Sequence, residues 1–219
     1  MIPPSSFSTN RRRASTRCFG PADLLTFAWN HPIVLAVGGA VAIVPAAQAI
    51  AGGIEDGTLE LVLSQLISRA RYFGAQVIFA AAALAAMSLA GAAAMALGQR
   101  VYHLDAVANG RIALMAVSFF LLQMTWFAVT LFLSALGRTA GRVSFTSFLF
   151  ALLSYLTQVV GQLWPRAAFL LRYSLNGYHD PRAIAKSGVL PAASAAVFVI
   201  LSAGFIGLAL WRFQRRDIP

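Results

Sequence analysis

Side chains able to do chemistry are few in this chain and mostly far apart. Of seven acidic residues, Glu55, Asp56 and Glu60 lie close together. Enzymes acting on lipid or isoprenoid substrates place clusters of Asp, Glu or His at the membrane face; this acidic group has no histidine near it. His31, His103 and His179 fall in three different connecting segments, a poor arrangement for a metal site. There is no His-Glu-x-x-His and no Gly-x-Ser-x-Gly. Lys186-Ser187 follows Arg182-Ala183-Ile184-Ala185, without the glycines whose N–H groups cradle phosphates, so it is not a P-loop. The lone Cys18 excludes an intrachain disulfide and a thiolate cluster. Ser147, Ser154 and Gln158 share one helical face at spacings of seven and four. Hydrogen bonding between helices, worth about 0.6–2 kcal/mol per bond, is the simpler reading of that face. A stripe lining a substrate path is the other.

The elements that must carry these residues are apolar. The chain has 219 residues, 59% hydrophobic and only 11% charged, with mean hydropathy +0.73. A soluble domain carries roughly 25% charge. The apolar residues come in blocks long enough to cross a bilayer, which takes about 20 residues. The net charge of +10 is nearly all arginine, placed in short loops and tails beside the apolar blocks. That is where membrane proteins keep positive charge, so no nucleic-acid partner is inferred.

The expected fold is an all-α, polytopic helical membrane protein. Residues 1–31 form a polar N-terminal tail and interfacial segment, with a short helix over 22–29; residues 32–219 form the transmembrane part. The arginines at 11–17 before an apolar run resemble a secretory signal, but the long polar linker over 19–31 argues against one. Five spans are predicted, at about 33–54, 73–98, 112–136, 143–164 and 189–211. Pro45 should kink the first. The second is rich in alanine and reads as an inner helix of the bundle. The third is bulky, with Phe119, Phe120, Trp126 and Phe127, and reads as lipid-facing on one side. A very short link makes the third and fourth an antiparallel hairpin. No charged residue falls well inside a span, which argues against a proton relay or a voltage sensor.

Between the first two spans, residues 52–72 interrupt the apolar pattern. Leu59, Val62, Leu63, Leu66 and Ile67 follow the spacing of an amphipathic helix. Asp56 or Gly57 can cap its start, Glu60 falls in its first turn, and Arg69 and Arg71 end it. Such a helix either lies on lipid or docks a soluble partner.

Three segments carry a resemblance. Residues 55–64, Glu-Asp-Gly-Thr-Leu-Glu-Leu-Val-Leu-Ser, followed by Ile67-Ser68-Arg69, resemble the first cytoplasmic loop of ABC-2 type permeases. These are membrane subunits of ABC transporters whose ATPase is often a separate chain. Residues 173–181, Tyr-Ser-Leu-Asn-Gly-Tyr-His-Asp-Pro, are similar to the segment before the family's last span, and 213–218, Phe-Gln-Arg-Arg-Asp-Ile, to its usual ending. The resemblance covers about 34–219. It implies a permease subunit, more in keeping with an exporter, in the plasma membrane and paired with a second copy or a sister permease. This chain would hold no cofactor; ATP and Mg would sit on the ATPase partner. It also implies that Glu55, Asp56, Gly57, Thr58, Leu59, Glu60, Leu63, Ser68 and Arg69 form the coupling site, the apolar stripe lying in a groove of the ATPase. Two features depart from the family. Leu66 stands where a proline is usual, and five spans are found where six are usual, the first being missing. Either the chain is a shortened form or its start lies upstream. If the 52–72 loop is cytoplasmic, parity puts the N-terminus outside and the C-terminus inside. The Lys/Arg distribution does not decide the matter, so the resemblance sets the orientation. A lipid-modifying membrane enzyme and a small accessory membrane subunit are the alternatives.

Overall fold

The computed structural model describes residues 21–65, 67–103 and 107–216. The expected N-terminal tail, Cys18, Leu66 and the last residues of the family-like ending, Asp217 and Ile218, lie outside the described residues. The described residues form helices and connections, without strands. Among the described residues, five helical stretches are long and apolar enough to cross a membrane: Leu25–Glu55, Arg69–Val101, Asn109–Leu136, Ala140–Leu163 and Ala192–Gln214.

Helix α1 is Pro21–Trp29. Helix α2, Pro32–Ala47, opens on Pro32 with His31 as its cap, the imidazole Nδ1 accepting from the Ile33 N–H at 3.3 Å. Pro45 lies within α2. The turn that follows, Gln48–Gly52, is π-helical, and it leads into α3, Gly53–Glu55. A proline removes one backbone donor and a π-turn misaligns others, so neighbouring side chains complete the pattern. Ser134 Oγ donates to the Ala47 carbonyl at 3.0 Å and accepts from the Ala51 N–H at 2.9 Å, while the Tyr72 hydroxyl donates to the Ala49 carbonyl at 2.7 Å.

Helix α4, Thr58–Ser64, starts after Gly57, whose φ of 69° lies in the left-handed region. No atom lies within 4 Å of a Cβ built there, so only the backbone conformation demands glycine. Gly57→Ala should therefore cost about 1–2 kcal/mol and lower the thermal unfolding midpoint, with Gly57→Asn costing less. Helix α5, Arg69–Val101, is capped by Ser68 Oγ, which accepts from the Arg71 N–H. Helices α6, Asn109–Leu136, and α7, Ala140–Leu163, are joined by residues 137–139 only, as the predicted hairpin requires. Pro165 then ends α7.

The expected long loop is largely structured. Two 3₁₀ segments, Pro165–Tyr173 and Asn176–Tyr178, fold back along α7, and α8, Pro181–Ser187, follows. The last helix, α9, Ala192–Gln214, begins three residues later than the predicted span. Gly188, left-handed at φ 70°, ends α8, and Pro191 sits at the start of α9.

Packing reverses the expected roles of two spans. Helix α6, expected to show one side to lipid, is the centre of the bundle, and packs against α9, α2, α5 and α7. Phe119, Phe127, Leu122 and Leu131 are fully buried there, because bulky side chains fill the space between several neighbours. Alanine-rich α5 lies at the periphery, with Ile78, Phe79, Leu89 and Leu97 exposed. Small side chains reach too little to fill a central position; they suit close backbone contact on one side.

Candidate functional site

Three chain segments meet at one end of the bundle: the turn from α3 through α4 into α5, the α6–α7 link, and the end of α9. Each closes an open helix terminus of another. Glu55 Oε2 accepts from the Ala140 N–H at 2.8 Å. Thr139 supplies no side-chain cap, so a carboxylate from a different element caps α7, where the helix dipole favours negative charge. Arg69 Nη1 donates to the carbonyls of Phe213 at 3.2 Å, Gln214 at 3.3 Å and Arg216 at 2.6 Å, which closes the C-terminal end of α9. Arg216 Nη1 in turn donates to the carbonyls of Ala135 at 3.0 Å and Gly137 at 2.8 Å, at the end of α6. Burial first, then the charges of Arg212 and Arg138, lower the pKa of Arg216 from its ordinary value. Phe213 is buried, stacks on Phe73 at 6.3 Å and lies under the Arg69 guanidinium at 5.9 Å. The α3–α5 turn is thus fastened to α7 and α9, and the end of α9 to α6, by charged side chains on backbone groups.

This geometry corrects the reading of residues 59–71. The helix is one short element ending at Ser64 rather than a longer one ending in arginines. Asp56 does not cap it; Gly57 precedes it without a side-chain cap. Arg69 and Arg71 open the next helix instead of closing this one. The dipole does not favour Arg69 there; its bonds to α9 explain its place. The apolar stripe is also engaged already. Leu59 is buried, Gly53 lacking the Cβ that would crowd it, and Leu63 packs on the same core. That stripe faces its own bundle because a single short helix has no other core to join. The outer face is left to Thr58, Glu60, Leu61 and Ser64, all exposed, Leu61 by 67%. Asp56 is exposed beside it, and Ser68 is used as the cap of α5. Leu61, absent from the sequence-derived set, is the one apolar residue aimed outward from α4. Only its place outside the stripe marked it in the sequence.

The three polar residues of α7 have different surroundings. Ser147 is buried and its hydroxyl has no partner. Ser154 accepts from the Asn176 N–H at 3.2 Å and lies 3.2 Å from the Ser174 hydroxyl, so it anchors the returning 3₁₀ segment. Gln158 is 4% exposed and its Oε1 has no partner. It lines a cavity of about 600 Å³ with Asn30, Tyr155, Asp180 and Lys186, at the end of the bundle opposite Glu55.

Of the histidines, His31 caps α2, and His179 is buried with Nδ1 2.8 Å from the Ser118 hydroxyl and its ring 6.0 Å from that of Phe119. No three His, Cys, Asp or Glu side chains come together to hold a metal among the described residues.

Compared with known families, the chain matches the family described as ABC-2 family transporter protein over residues 5–218. No curated protein and no solved structure matches it.

Proposed function

The chain belongs to the ABC-2 family of transporter proteins and is a multi-pass permease-type membrane protein; from that premise we propose that it couples to a separate ABC ATPase through the outer face of α4. Members of this family generally work with such an ATPase. The observation that carries the reading is the clamp at the Glu55 end. A push on α4 is delivered through Glu55 to α7, through Arg69 to α9, and from Arg216 to α6. A docking face with no such connections could bind a partner and move nothing. The proposed contact uses Asp56, Glu60 and Leu61, with the carboxylates meeting basic residues on the ATPase rim and Leu61 entering its groove.

The remainder of the proposal follows the family. The chain works in the plasma membrane, beside a second copy or a sister permease, with the path at their interface. ATP and Mg are held by the ATPase. The direction is export, and spans without buried charge suit an apolar or amphiphilic cargo.

Co-purification in mild detergent with the ATPase encoded nearest to this gene tests the coupling. The wild type should retain the ATPase, and Glu60→Arg or Leu61→Asp should weaken its retention at least about tenfold, the loss expected for a central interface residue worth about 1.4 kcal/mol or more. Undiminished retention by both variants would contradict the proposed face.

A further inference from the structure

At the end opposite the clamp, a polar cavity and an apolar groove adjoin. The cavity of about 600 Å³ lies between α1, α7 and α8 and is bordered by Asp180, Lys186 and Gln158. The groove, about 370 Å³, lies between α2, α6 and α7, with Leu35, Trp126 and Leu152 in its walls. Tyr155 lines both. Four residues on these walls carry a buried carbonyl oxygen without a hydrogen-bond partner: Asn30 and Gln158 at the cavity, and Gln123 and Asn176 at the groove. A buried acceptor left empty is costly, so a ligand that brings donors recovers that energy.

We propose that cavity and groove together form a binding site for a single-chain amphiphile whose headgroup carries a phosphate and N–H donors. The chain lies in the groove, whose volume suits one acyl tail and not two. The Lys186 ammonium meets the phosphate. The headgroup ammonium donates to Gln158 Oε1, with Asp180 supplying opposite charge nearby. A hydroxyl at the junction of head and tail donates toward the acceptors of the groove. Both volumes fall in the range of pockets that bury small ligands. That this amphiphile is cargo rests on the permease reading; that it binds does not.

Lysophosphatidylethanolamine and lysophosphatidylcholine of equal chain length separate the chemistry, since both are zwitterionic and only the first has N–H donors. The test is retention of each labelled lipid by the purified chain in maltoside micelles, without any ATPase. The ethanolamine lipid should be retained about tenfold more strongly. Gln158→Leu should reduce that preference to within about twofold. Lys186→Ala, at an exposed position, should weaken both lipids alike. Free O-phosphoethanolamine should not displace the lipid at matched concentration. Equal retention of the two lipids, or an unchanged preference in Gln158→Leu, would overturn the headgroup assignment. Displacement by the free headgroup would overturn the role of the groove. Because no ATPase takes part, these outcomes are independent of whether the coupling proposal stands.

Discussion

Arg69→Ala should leave ATPase binding intact and lower transport by about tenfold or more. One guanidinium nitrogen closes three carbonyls at the end of α9, within a charged donor's reach of each. Hydrogen bonds to charged groups contribute about 1.5–3 kcal/mol. Water replaces part of this where the site is open, so the expected loss of stability is about 2 kcal/mol. The larger effect is mechanical. Arg69 does not lie on the outer face of α4, so docking survives; it joins the first turn of α5 to α9, so motion is no longer passed on. The measurement is transport set against ATP turnover in proteoliposomes, with the unfolding midpoint of the same sample. Turnover without transport is the predicted signature. Arg69→Lys should rescue only part, since an ammonium is a compact point charge with a different donor geometry. Equal loss of ATPase binding and transport would place Arg69 in the docking face instead.

Acid should destabilise the opposite end through His179. This side chain is 1% exposed, and burial lowers its pKa from 6.5 to about 4; the Trp29 backbone and the Asp180 charge offset this only in part. In the unfolded chain the imidazole takes up its proton near pH 6.5, in the folded chain only near pH 4. The unfolded state therefore binds more protons between these values, and stability falls as pH falls through them. It is fully present above about pH 6.5. At about 1.4 kcal/mol per unit, the loss by pH 4 approaches about 3 kcal/mol. The unfolding midpoint in detergent should therefore drop between pH 7.5 and 5. His179→Gln, which can still bond the Ser118 hydroxyl, should have a lower midpoint at pH 7.5 and a flatter profile. A profile as steep as that of the wild type would assign the pH effect to other groups.

The membrane class, the five long helices and the α6–α7 hairpin were legible because each follows from local residue type: apolar length, or a link too short for anything else. The family was legible because three motifs stand in order. The inner and outer helices were misjudged, since residue bulk says how a helix can pack and not how many neighbours surround it. In the coupling segment, Leu59 and Leu63 read correctly as one apolar face. Their partner could not be read, because periodicity does not say whether a face meets its own bundle or another protein. Glu55 and Arg69 carry charge in the expected region and Arg216 in the family-like ending, but their roles lie in backbone groups of other helices, between 79 and 147 positions away along the chain. No local pattern encodes such bonds.

The coupling claim is tested most directly by a cysteine scan along α4 in a chain with Cys18→Ser, cross-linked to the ATPase subunit with a short thiol-to-amine reagent. Thr58, Leu61 and Ser64 are exposed, while Leu59 is buried and Leu63 packs on the core. Cross-links from cysteines at 58, 61 and 64, with none from 59 and 63, are the predicted result. Cross-links from 59 and 63, or from none of the five, would contradict docking through the outer face of α4.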